Sequence, residues 1–79
     1  MTVTEFISKV QGAHLNDQGF NFRLSDEGYE VEAIYNGDHV EYITADGSES
    51  ISIREFIGQI ILLADSPDSY LDATFEIQA

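Results

Sequence analysis

An α+β fold is what this chain predicts: an N-terminal helix, a three-stranded antiparallel meander, then one or two helices packed on one sheet face. Three observations carry that expectation. Two segments open with helix-capping signatures. Three segments between them alternate apolar and polar residues, and turn-forming residues separate the three. The 79 residues form a single acidic domain, 1–79, and the 43% hydrophobic content, with five phenylalanines and four tyrosines, suffices for a packed core.

The first helix starts at a capping box, with Thr2 as N-cap and Glu5 reaching back from the third helical position. Phe6, Ile7 and Val10 follow at helical spacing, and Gly12 is the expected stop. Phe20, Phe22 and Leu24 then alternate with Asn21, Arg23 and Ser25. Tyr29, Val31, Ala33 and Tyr35 alternate with Glu30, Glu32 and Ile34, and Val40 and Tyr42 with Glu41 and Ile43. Each run reads as a strand with one buried face.

Turns set the expected register. A two-residue loop at Asn36-Gly37 pairs Tyr35 with Asp38, Ala33 with Val40, Val31 with Tyr42 and Glu32 with Glu41. An even-length loop around Asp26-Glu27-Gly28 pairs Leu24 with Val31, Phe22 with Ala33 and Arg23 with Glu32. All apolar members then fall on one face. The second helix starts at Ser52, with Glu55 at the third position and Ile51 and Phe56 as the ends of a hydrophobic staple. Its stripe is Ile53, Phe56, Ile57, Ile60, Ile61 and Ala64. A third helix is expected from Ser66, with Pro67 and Asp68 in its first turn and Tyr70 and Leu71 facing inward. Residues 74–79 finish that helix or form a short extended tail.

Fifteen carboxylates against three basic side chains give a formal net charge of -12. Lys9, Arg23 and Arg54 are the fixed cations. Such a surface repels phosphate, so direct nucleic-acid binding and anionic lipid are disfavoured, and a basic partner is favoured. Residues 1–9 lack the pattern of a signal peptide, and the longest apolar run, 60–64, is too short to span a membrane. The absence of cysteine removes disulfides and thiolate sites and fits a reducing compartment such as the cytoplasm.

Catalytic material is thin. His14 and His39 are the two histidines, and Asp38 and His39, as strand neighbours, are expected on opposite faces. No nucleophile elbow or phosphate-cradling glycine loop occurs. Asp46-Gly47-Ser48-Glu49 lacks the alternating acids of a calcium loop and reads as a polar turn. The expectation is therefore a non-enzyme with no metal and no cofactor. The outer sheet face is expected to carry Glu30, Glu32 and Glu41 with Asn21, Arg23, Ile34, Ile43 and His39, either as a wet face or as a carboxylate array for a basic partner. A second acidic set is Asp65, Asp68 and Asp72.

In element order and in the run from Asn36 to Ile57, the chain resembles the small acidic phage and prophage anti-CRISPR inhibitors of type II-A Cas9. The likeness lies in an Asn/Gly/Asp turn, the strand "VEYIT", the turn "DGSES" and the helix "IREFI". The resemblance implies an αβββαα DNA mimic that blocks the basic cleft of Cas9, acting in the host-cell cytoplasm. It implies partner contacts at Asn36, Gly37, Asp38 and His39, and at Asp65, Asp68 and Asp72. Two other functions fit the composition: an immunity protein or antitoxin against a basic nuclease, and a structural protein self-associating through Ile34, Ile43 and Leu62.

Overall fold

The computed structural model describes residues 1–26, 29–64, 66 and 69–78. Among them lie two helices and five strands: α1 (Val3–Leu15), β1 (Phe20–Asp26), β2 (Tyr29–Tyr35), β3 (Val40–Thr44), β4 (Gly47–Ile51), α2 (Ile53–Leu63) and β5 (Ala73–Ile77). The strands form one antiparallel sheet in the order β4-β3-β2-β1-β5. This corrects the three-stranded meander to a five-stranded sheet. The helix-plus-sheet class holds, but a fourth strand follows the meander and the last element is a strand.

Helix α1 begins as its sequence dictates. The Glu5 N–H donates to Thr2 Oγ1 at 3.1 Å, and the Thr2 N–H donates to Glu5 Oε1 at 3.2 Å. It does not stop at Gly12. A glycine costs an interior helical position about 1 kcal/mol, and the added turn buries Ala13 beneath the same stripe as Phe6 and Val10. The stop is Asp17 at φ 56°, where the Gln18 N–H donates to Ala13 O at 2.8 Å and the Asp17 N–H to His14 O at 3.3 Å. These are the two bonds of a Schellman motif, with aspartate in the left-handed position that glycine usually takes.

The pairing of β1 with β2 matches the expected register, including Arg23 against Glu32. The pairing of β2 with β3 is shifted by two residues: Tyr35 faces Val40, Ala33 faces Tyr42, Ile34 faces Glu41 and Glu32 faces Ile43. A shift of two keeps every side chain on its face, so the hydrophobic pattern alone could not exclude it. The cause is Asn36. Its Oδ1 accepts the N–H groups of Asp38 and His39 at 3.1 and 3.3 Å, widening the connection to residues 36–39 with Gly37 at φ 102°.

Helix α2 starts at Ser52, whose Oγ accepts the Glu55 N–H at 3.1 Å, and the staple residues Ile51 and Phe56 are both buried. Beyond α2, Tyr70 and Leu71 bridge the N-terminus. The Met1 ammonium donates to Leu71 O at 2.9 Å and the Leu71 N–H to Met1 O at 2.6 Å. Leu71 is buried as expected, but Tyr70 is 77% exposed. The third helix is not formed over the described residues: Ser69 N–H returns to Ser66 O, and the chain then extends into β5. Extension is favoured because it sets Phe75 against Phe20, with ring centroids 4.7 Å apart.

Both helices cover one face of the sheet. Phe56 sits at the centre, its ring 5.3, 5.4 and 5.9 Å from those of Phe6, Phe22 and Phe20. Among the described residues nothing covers the opposite face.

Candidate functional site

Residues paired across antiparallel strands share a face. The open face therefore carries two full rows. One runs Ser50, Glu41, Ile34, Asn21, Glu76, and the other Ser48, Ile43, Glu32, Arg23, Thr74. Glu30 lies beside Ser25 at the end of the sheet. The face thus holds Glu30, Glu32, Glu41 and Glu76 against one cation. Glu32 and Glu41 are diagonal rather than opposed, so their expected repulsion is relaxed to about 7–8 Å between Cα atoms.

The cation is already engaged. Arg23 Nη2 donates to Glu32 Oε1 at 2.8 Å. That hydrogen bond, then the Glu32 charge, with Glu30 adding, holds the guanidinium pKa above its ordinary value. Both side chains are substantially exposed, so the pair orients the groups more than it stabilises the fold. Shallow depressions flank it. One is lined by Asn21, Ile34, Thr74 and Glu76, the other by Ser25, Glu30, Ile43 and Ala45. Ile34 is 38% exposed at the centre of its row.

The other expected contacts are dispersed. The turn 36–39 lies beyond the sheet, and Asp38 borders a groove with Gln11, His14, Ser52, Arg54 and Ile57 on the helix side. Asn36 and Gly37 shape this turn rather than face the carboxylate rows. Asp38 and His39 were expected on opposite faces. The turn instead brings Asp38 Oδ2 within 3.3 Å of His39 Nδ1, because adjacent side chains diverge only in extended strand. His14, which lines this groove, shares a hydrogen bond of 3.0 Å between its Nδ1 and Oη of the buried Tyr35. Burial foremost, then the charges of Asp17 and Asp38, raise the Tyr35 phenol pKa. Asp72 leads into β5, its carbonyl accepting the Ser25 N–H at 3.0 Å. Asp65 and Asp68 lie outside the described residues, as does Glu27.

Thr74, Glu76, Ser48 and Ser50 are the members of the face that sequence reasoning missed. For Thr74 and Glu76 the alternation Thr74-Phe75-Glu76-Ile77 carries the signal: of the two forms expected for residues 74–79 the extended one is observed, and its pairing with β1 is what went unread. Among the described residues, no group of three or more His, Cys, Asp or Glu side chains is arranged to hold a metal ion, and no helix is long and apolar enough to cross a membrane. What the open face can do chemically is present fixed carboxylates around two isoleucines. No protein-family model, curated protein or solved structure matches this chain.

Proposed function

We propose that this chain is a binding protein whose open sheet face docks on the basic surface of a nucleic-acid-binding protein and excludes nucleic acid from it. The observation that carries this reading is the distribution of charge on that face: four glutamates, with the single arginine held by one of them. The remaining two cations, Lys9 and Arg54, are on the helices. Each helix balances one carboxylate against one cation, Glu5 with Lys9 and Glu55 with Arg54, whereas the open face is net negative.

The density of charge decides how literally it imitates DNA. Four strand spacings of ~4.8 Å make the face ~19 Å wide, a length over which a duplex carries ~11 phosphates. The face bears only four glutamates, so it does not copy the phosphate array. It pairs with selected Arg or Lys side chains while Ile34 and Ile43 bury apolar surface beside them. The αβββαα order that pointed to Cas9 is not the order of this chain, so the partner is defined here by chemistry: a basic, nucleic-acid-binding protein. Immunity against a basic nuclease would use the same face.

Affinity capture from a host lysate tests this directly, with duplex DNA as competitor. The expected captured protein is basic, is released by the duplex, and binds less tightly as salt rises from low to physiological strength. Capture of an acidic protein, or of one indifferent to duplex and salt, overturns the reading.

A further inference from the structure

Among the described residues the sheet has two free edges, β4 and β5, and they are not alike. Along β4, Glu49 pairs with the buried Tyr42 and so belongs to the helix-side face, yet it is exposed at the edge. A charge pointing inward on an edge strand is a means of keeping that edge from pairing with another chain. Overlapping two copies of β4 over their full length would also set Glu49 against Glu49. Along β5 the helix-side residues are Ala73, Phe75 and Ile77, all apolar, and Ile77 is 46% exposed. Its one charge, Glu76, points to the open face.

The backbone of β5 is available for a partner. The Gln78 N–H bonds to Gly19 O and the Ser25 N–H to Asp72 O. By alternation, Thr74 and Glu76 make the other bonds to β1, while Phe75 and Ile77 turn their N–H and C=O groups outward.

From this edge we propose that a second copy of the chain pairs with β5, antiparallel about a two-fold axis at Phe75. The match is self-complementary. Phe75 meets Phe75 of the second copy, Ile77 meets Ala73, Thr74 meets Glu76, and Asp72 meets Gln78. No carboxylate opposes another in this register. Each copy donates the N–H groups of Phe75 and Ile77, and the apolar side chains meet on the helix side. The axis stands perpendicular to the sheet, so the dimer is one continuous sheet with both carboxylate faces on the same side. A five-residue edge buries less than the ~800 Å² per partner of a standard interface, so the dimer is weak. Two copies each of net charge -12 repel, so salt strengthens this association. That sign is opposite to the salt dependence of the proposed basic partner, and the two ideas stand or fall separately.

Sedimentation of the full chain over about 10 µM to 1 mM, a range suited to a weak complex, gives the first readout. A monomer–dimer equilibrium that shifts to dimer with added salt is expected. Ile77→Pro removes an outward donor and no bond to β1, so the dimer is lost while the melting temperature holds. The register is read with cysteine, which the chain lacks. Thr74→Cys and Glu76→Cys on separate copies fall in a non-hydrogen-bonded pair with Cα atoms ~4.5 Å apart, within disulfide reach. Under mild oxidation, their mixture should cross-link about fivefold or more above either variant alone, whose like cysteines sit beyond the ~7 Å limit. A monomer at every concentration and salt overturns the proposal. So does a dimer that survives Ile77→Pro in a folded protein, or cross-linking no greater in the mixture than in the single variants.

Discussion

Replacing Asp17 with glycine should make the protein more stable. Asp17 holds φ 56° at the end of α1, fixed there by the bonds from its own N–H to His14 O and from the Gln18 N–H to Ala13 O. A side chain in this region crowds the following carbonyl by ~1–2 kcal/mol, with aspartate penalised less than most residues. Glycine escapes that crowding and returns ~0.5–1 kcal/mol through its freer unfolded chain. Removing a carboxylate from a helix C-terminus adds ~0.3–1 kcal/mol, because the dipole is negative there. The expected sum for Asp17→Gly is a gain of ~1 kcal/mol, or about 4–8 °C in Tm for a domain this small. Asp17→Ala serves as the control: it gains the same dipole term but meets the full crowding, so it should be close to neutral. Thermal unfolding followed by circular dichroism measures both. A glycine variant that melts no higher than the alanine variant would show that backbone crowding at Asp17 does not limit stability.

Three further outcomes follow from contacts in the core and its rim. A Cβ at Gly19 would stand 2.8 Å from Tyr35 O and 2.7 Å from Gln78 Oε1. The glutamine can swing aside but the β2 carbonyl cannot, so Gly19→Ala should cost ~1–3 kcal/mol. Gly12→Ala meets nothing within 4 Å in the interior of α1, and should gain ~0.5–1 kcal/mol in the same unfolding assay. Tyr35→Phe should lose ~0.5–1.5 kcal/mol near neutral pH with the His14 hydrogen bond. The folded state raises the Tyr35 pKa, so its contribution is complete below the ordinary tyrosine value of ~10 and is lost as pH rises through the folded value. The phenylalanine variant should therefore show a flatter decline in Tm at alkaline pH; a decline as steep as the parent's would refute the assignment.

Local signals were legible where one residue type does one job. Thr2 with Glu5, Ser52 with Glu55, and the alternation through Phe22 and Ala33 led directly to the helix starts and the β1–β2 register. The β2–β3 register was not legible, because Asn36 could turn the chain through its backbone or through its side chain, and both leave the same faces buried. Strand β4 reads as a polar turn since four of its five residues are exposed at the edge, so no hydrophobic alternation marks it. Strand β5 was obscured by Ser66, Pro67 and Asp68, whose residue types read as a helix start. What decides its form is long-range, the stacking of Phe75 on Phe20 and the hydrogen bonding to β1. Of the candidate site, Glu30, Glu32 and Glu41 were grouped correctly on one face, and Glu76 was missed with its strand.

The central claim is that the open face, rather than net charge, binds the basic partner. Two variants of equal charge separate these. One carries Glu30→Gln, Glu32→Gln, Glu41→Gln and Glu76→Gln on the face. The other carries Asp17→Asn, Asp46→Asn, Glu49→Gln and Glu55→Gln away from it. Each removes four of the fifteen carboxylates, taking the net charge from -12 to -8. Affinity for the captured basic protein is measured for both at physiological ionic strength. At ~0.5 kcal/mol per exposed ion pair, four lost pairs cost ~2 kcal/mol, so the face variant should lose about thirtyfold, and the other less than about threefold. Equal losses would contradict the account, since they would leave net charge as the only determinant of binding.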